Sequence, residues 1–219
     1  MMTRALHRWA VGAGALLLFA SLAWVFLNLP APTAGLREPV MTRLADSGVR
    51  HPVTAVLLNF RGYDTLLEIG VLLLAAFGAL SLRASERAPP RAAPPHALLA
   101  ALTRALAPLM ILTAGYLLWA GARQPGGAFQ AGAVLAALGV LLRLSGVLPA
   151  FTPPPAWLRF GLVFGFAVFL AAAAAALAHG ALLEYPRAAA GALILAIESA
   201  LTLSIALILV TLYNASRAA

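Results

Sequence analysis

Long apolar runs separated by short polar breaks organise this chain. The runs extend from about Trp9 to Leu29, Leu66 to Leu82, Leu98 to Ala120, Phe129 to Leu148, Trp157 to Ala178 and Ala189 to Tyr213. Each is close to the roughly 20 residues that an α-helix needs to cross a bilayer core. The pattern therefore predicts an all-α fold: a polytopic helical membrane protein with about six transmembrane helices. The alternating short strands that would build a membrane β-barrel do not occur in the sequence.

The breaks carry information of their own. The first run follows Arg4, His7 and Arg8. It is long for a secretory signal and no small-x-small cleavage site follows it, so it is expected to be a membrane anchor. Pro30 to Asp64 is mostly mixed polar and is expected outside the membrane. Within it, Pro52 to Phe60 (PVTAVLLNF) is apolar but only nine residues long. That is too short to span, so an interfacial or re-entrant segment is expected near residues 53–60. Gly62 then permits a sharp turn into the second span. Arg83 to His96 (RASERAPPRAAPPH) holds four prolines and cannot be a continuous helix. It reads as a linker over 83–97, joining a two-helix module, 1–82, to a four-helix module, 98–219.

Composition strengthens the membrane reading. Of the 219 residues, 63% are hydrophobic and only 10% are charged, against about a quarter charged in a soluble domain. The net charge of +8 comes from fifteen arginines and no lysine. These arginines are scattered singly in loops and at helix ends. That favours anchoring in the lipid bilayer over a nucleic-acid partner. With the N-terminus inside, nine arginines (Arg4, Arg8, Arg83, Arg87, Arg91, Arg104, Arg143, Arg159 and Arg217) fall on the inner side and six on the outer. Both termini are therefore expected to be cytoplasmic. The absence of cysteine excludes disulfides, thiolate zinc sites and iron–sulfur clusters held by this chain. His7, His51, His96 and His179 show no metal-ligand spacing, and no metal or cofactor is expected.

Among the membrane-associated charges, Glu198 stands out. It lies about nine residues into an otherwise uncharged run, or about 14 Å deep at roughly 1.5 Å per residue. A charged glutamate at that depth costs about 2.5–3.5 kcal/mol or more, so it is protonated or paired. It is either a proton-relay or ion-coordinating carboxylate, or a protonated side chain bonded to a neighbouring helix, with Thr202 one turn on. Glu68 also has two readings. Thr65-Leu66-Leu67-Glu68 fits a capping box with Thr65 at the N-cap. Yet Asp64 and Glu68 share a helix face at i, i+4, with Arg61 close enough to pair with either, so they also fit the mouth of an ion path. His179 and Glu184 form either a proton-collecting pair at the surface or two solvated loop residues. Arg143, near a helix end, is expected to snorkel.

Gly121 to Gly132 (GARQPGGAFQAG) reads as a tight helical hairpin whose small residues let two helices close. It has neither the lysine nor the preceding strand of a phosphate loop. Gly161 and Gly165 form a GxxxG pair suited to helix packing. No Ser/His/Asp or Cys/His arrangement is present, so no catalytic activity is expected of this chain by itself.

Two motifs carry a family resemblance. NFRGYDTLLEIGVLLLAAFGAL is similar to a segment shared by the C-terminal region of MrpA, the large protein of Mrp antiporters, and by MbhE, a small protein of membrane-bound hydrogenases. Phe60, Arg61, Gly62, Tyr63, Asp64, Thr65 and Glu68 carry the match. The second half resembles the MnhB proteins of Mrp-type sodium/proton antiporters through Gly121, Pro125, Gly126, Gly127, Phe129 and Gly132. It departs from that pattern at Ala122, where the family has histidine, and at Ala128 and Ala131, where it has glycine. The resemblance implies two fused modules in a non-catalytic member of a multisubunit complex. Its partners would be other antiporter-like membrane subunits, its ions Na+ and H+, and its location the cytoplasmic (inner) membrane of a bacterium or archaeon. The parent complex would be an antiporter or, alternatively, a redox-driven pump. The retained motif implies a path role for Glu68 and Asp64, whereas Glu198 rests on burial alone.

Overall fold

A computed structural model of the chain describes residues 2–29, 35–83, 97–148, 155–178, 180 and 182–216. These residues are almost entirely helical, and no strand occurs among them. The helices in chain order are α1 (Met2–Leu27), α2 (Arg37–Arg43), α3 (Pro52–Ala55), α4 (Gly62–Arg83), α5 (Ala97–Ala120), α6 (Ala128–Leu144), α7 (Ala156–Leu177) and α8 (Arg187–Ser216). A 3₁₀ turn, Leu44–Ser47, precedes α3, and a π-helical turn, Val56–Phe60, continues it. Four helices are long and apolar enough to cross a membrane: α4 over Gly62–Leu82, α5, α7 and α8. Val11–Leu27 of α1 and all of α6 are shorter apolar helices. The protein is a polytopic helical membrane protein, as its apolar runs predict.

Packing divides the chain into two compact units, Met1–Glu38 and Pro39–Ala219. The first contains α1, a helix of 26 residues, or about 39 Å. The second contains the remaining spans. Residues 84–96, most of the expected linker, lie outside the described residues.

In the second unit α8 is the central element, packing against α4, α5, α6 and α7. Its sequence explains this position. Ile194, Ile197, Leu201, Ile205 and Ile208 recur at helical spacing and are buried. Ala190, Ala200, Ser204 and Ala206, also buried, keep other sides narrow. Leu195 and Leu203 leave the remaining side of α8 exposed. On α7, a Cβ at Gly165 would stand 2.7 Å from Ser204 Cβ and 2.9 Å from Leu201 Cα. The α7 and α8 backbones therefore run nearly in contact there, and Ser204 Oγ donates to the Leu162 carbonyl at 2.5 Å. On α6, Gly132 closes against Ile205 and the Thr202 carbonyl of α8, and Gly139 against the Val210 side chain.

Three chain segments meet at one end of this bundle. Arg50 N–H and His51 N–H donate to the Ala122 carbonyl, at 2.9 and 3.1 Å. Asp46 pairs with Arg187 at 2.9 Å. The Leu183 side chain lies against Gly62. The segment before α4, the α5–α6 hairpin and the α7–α8 loop thus share a side, which is the arrangement that consecutive membrane crossings require.

Candidate functional site

The hairpin Gly121–Gly127 and the middle of α8 form one site. The Gly127 backbone sits at φ +107°, a conformation suited to glycine, and its N–H donates to the Leu117 carbonyl at 2.8 Å. This closes the turn and starts α6 at Ala128. The Ala128 N–H, one of the unbonded donors of the new helix, donates to the Glu198 carboxylate. Oε1 is the oxygen on that side: a Cβ at Gly127 would lie 2.5 Å from it and a Cβ at Gly121 3.3 Å from it. Glu198 is 4% exposed, and its Oε2 is buried without a hydrogen-bond partner among the described residues.

Oε2 belongs to a side chain that lines a cavity of about 80 Å³, shared with Thr54, Thr65, Phe129 and Gln130. Thr54 comes from α3, in the segment leading into α4, and Thr65 from the first turns of α4. The π-helical turn makes the wide bond Arg61 N–H to Val56 O, 2.7 Å. The next carbonyl, Leu57, accepts from Thr65 Oγ1 at 2.7 Å. Thr54 Oγ1 donates to the Gly121 carbonyl at 2.5 Å. The α5–α6 hairpin, α3 and the start of α4 therefore line one cavity together with Glu198.

Several expectations change at this point. Thr65 is not an N-cap. Helix α4 starts three residues earlier at Gly62, so Thr65 lies inside the first turns, is buried, and ties the helix to the π-turn. Glu68 makes no ion pair or side-chain hydrogen bond among the described residues and is exposed. The capping box is thereby replaced by a tertiary hydrogen bond. Arg61 pairs with Asp64 in an exposed ion pair, and neither reaches Glu198. Asp64 and Glu68 share the exposed stripe of α4, while Gly62, Thr65, Leu66, Ile69 and Leu73 make its buried stripe.

Glu198 does not bond Thr202 through its side chain; Thr202 Oγ1 donates to the Glu198 backbone carbonyl at 2.7 Å. Counting along one span places the carboxylate near mid-membrane. The tertiary structure places it level with the end of α5 and the start of α6. His179 lies outside the described residues, and Glu184 is exposed in the loop before α8. Arg143 occupies the last turn of α6.

Within the hairpin, Gly121 and Gly127 are buried, Gly126 is half-buried against the Leu117 carbonyl, and Pro125 is exposed in the turn. Phe129 packs against the main core, and Gly132 faces α8. Ala128 takes part in the cap through its backbone N–H. Ala122 accepts from the Arg50 and His51 N–H groups through its carbonyl and packs against the main core.

Thr54 carries no sequence signal beyond being the one hydroxyl in an otherwise apolar run. The Tyr185 hydroxyl is the other buried side-chain oxygen without a partner among the described residues. Burial pushes its pKa up to about 12, so it stays protonated at physiological pH.

Fold and site together define a multi-pass membrane protein in which a glycine hairpin encloses a buried carboxylate. The family model described as "domain related to MnhB subunit of Na+/H+ antiporter" matches residues 98–214. The chain belongs to that family. Among solved structures, it is similar to a chain of the Mrp complex from Dietzia sp. DQ12-45-1b, with a TM-score of 0.71 and 21% identity. That match covers 98% of this chain and 26% of the Dietzia chain, so the protein spans about a quarter of that relative's length. It is also similar to a chain of the membrane-bound sulfane sulfur reductase, an archaeal respiratory membrane complex, with a TM-score of 0.72 and 22% identity. Here the match covers 99% of this chain and 98% of the other. At these identities the likeness is one of fold. None of the curated proteins compared matches the chain.

Proposed function

We propose that this protein is a non-catalytic subunit of a multisubunit Mrp-like cation/proton antiporter. It completes the membrane arm and supplies carboxylates to a route for Na+ and H+. Family membership over 98–214 supports the class. The observation that carries the reading is Glu68. It lies six residues into α4, about 9 Å along the axis, on an exposed stripe that continues through Val71, Leu74 and Ala75. A carboxylate facing lipid at that depth is costly, so this face belongs against another subunit or a water-lined path. The arginine distribution supports an N-in, C-in orientation in a cytoplasmic membrane. In that orientation the Glu198 cavity opens toward the outer face. The two halves, 1–82 and 98–219, then correspond to two subunit-like modules in one chain.

A second reading is a membrane-arm subunit of a redox-driven ion pump. The end-to-end correspondence with the archaeal respiratory chain favours it. Purification from the native membrane in mild detergent, followed by mass spectrometry of everything that co-purifies, separates the two. Antiporter-like subunits alone are the expected result. The same subunits with quinone-, nickel- or iron–sulfur-binding proteins would establish the pump. A monodisperse chain purified alone would overturn both. In the intact complex, Glu68→Gln and Glu198→Gln are expected to assemble normally and lose ion transport. Unchanged transport in both variants would reduce the chain to a scaffold.

A further inference from the structure

Helix α5 carries an outward stripe of large side chains. Leu98, Leu102, Leu109, Leu112, Tyr116 and Trp119 recur at helical spacing, and each is more than half exposed. Of the four long apolar spans, α5 is the least buried. Its 24 residues extend about 36 Å, more than the roughly 30 Å of a hydrocarbon core. The last turn therefore reaches the headgroup region, where Trp and Tyr collect. Bulky leucines on the stripe suit acyl chains, whereas contacts between membrane helices favour small residues.

At that end of α5 four side chains hold one another in place. Arg123 Cζ lies over the Trp119 ring, 4.9 Å from its centroid, a cation–π contact. The Tyr116 ring stands 6.3 Å from the Trp119 ring at an interplanar angle of 41°. Gln124 Nε2 donates to the Tyr116 hydroxyl at 2.7 Å. That bond fixes the phenol and leaves its own O–H to donate. A guanidinium seated on an aromatic ring keeps the N–H donors of its edge.

Neighbouring arginines differ in their charge partners. Arg61 is paired with Asp64, and Arg187 with Asp46. Arg50 and Arg123 are both exposed and pair with no carboxylate among the described residues. The Arg50 N–H bond to the Ala122 carbonyl, 2.9 Å, sets these two residues side by side on one surface. The result is a patch of donors with two positive charges and no acid to neutralise them. Arginine holds phosphate oxygens through paired, charge-assisted N–H bonds. A zwitterionic headgroup brings an amine that finds no acid here, and an anionic headgroup does not. A phosphate without acyl chains would leave the leucine stripe uncovered.

We propose that Arg123 and Arg50, with Trp119 and Tyr116, bind the phosphodiester of an anionic glycerophospholipid whose acyl chains lie along the α5 stripe. The site shares no residue with the lining of the Glu198 cavity, and it does not depend on ion transport by this chain.

The test uses the protein with whatever co-purifies from its native membrane, reconstituted into nanodiscs. Phosphatidylglycerol and phosphatidylcholine bearing the same diazirine acyl chain are compared at equal mole fraction. Peptide mass spectrometry counts the photo-adducts on residues 105–123. Phosphatidylglycerol is expected to label this stretch about fivefold more than phosphatidylcholine, the preference that one arginine near a membrane surface supplies. Arg123→Gln is expected to abolish most of the preference and Arg50→Gln to reduce it. Arg159→Gln, on α7, is expected to leave it unchanged. Excess inorganic phosphate is expected not to compete. Equal labelling by the two lipids overturns the site, as does an unchanged preference in Arg123→Gln. Competition by inorganic phosphate would assign the arginines to a free anion and overturn the lipid. Absence of adducts from either lipid would place a protein neighbour on the stripe and overturn it too. The comparison of lipids on the unsubstituted protein decides the matter even where a variant fails to assemble.

Discussion

Gly127 and Glu198 depend on each other. At φ +107° a side chain at residue 127 is strained, and its Cβ would lie 2.5 Å from Glu198 Oε1. Gly127→Ala is therefore expected to destabilise the protein by about 1–3 kcal/mol through strain and overpacking. Gly78→Ala, where a Cβ meets nothing within 4 Å, serves as the neutral control. Thermal unfolding of the two variants in the same detergent checks the difference; equal midpoints would refute the close approach. Glu198 announces itself in the sequence as a charge within an apolar run. The glycines announce themselves as a hairpin. That the carboxylate caps the helix which the hairpin starts is a long-range fact, and no local spacing contains it.

Helix packing separates two glycines that look equivalent in the sequence. Gly165 faces the α8 backbone, with Leu201 Cα and the Ala200 carbonyl within about 3 Å of an added Cβ. At Gly161 the added Cβ would meet only the Leu207 side chain, whose terminal methyl can rotate away. Gly165→Ala is expected to cost about 1–3 kcal/mol and Gly161→Ala well under that. Reversed costs in a thermal or denaturant series would mean that α7 packs by another face. The GxxxG spacing is legible in the sequence, but which glycine touches backbone depends on the crossing of α7 and α8. The start of α4 escapes a sequence reading for a similar reason. Thr-x-x-Glu is a local signature, but α4 begins at Gly62, so Thr65 lies inside the helix and its hydroxyl donates to the Leu57 carbonyl.

At the scale of the whole molecule, the contacts among the pre-α4 segment, the hairpin and the α7–α8 loop impose an alternation of sides. The sequence contains no cysteine, so single introduced cysteines report sidedness cleanly. Gln124→Cys and Glu184→Cys are expected to react with a membrane-impermeant maleimide from outside the intact cell. Leu148→Cys, at the opposite end of α6, is expected to react only after permeabilisation. Labelling of Gln124→Cys and Glu184→Cys from opposite sides would break the alternation. Labelling of both from within would invert the orientation.

Hydrophobic run length determined the helical membrane class and the approximate limits of the four long apolar helices and the two shorter ones, because the cost of burying an unbonded backbone in lipid leaves a helix as the main solution for such a run. Local chemistry also marked the hairpin, the GxxxG pair and Glu198 as unusual. Only the tertiary structure decided which helix lies at the centre, that Glu198 faces a helix terminus, and that Thr54 and Thr65 reach its cavity. These depend on contacts between residues far apart in the chain, such as Thr54 with Gly121 and Glu198 with Ala128. Such contacts arise from the way apolar faces and small residues close against one another, which periodicity along a single helix does not encode.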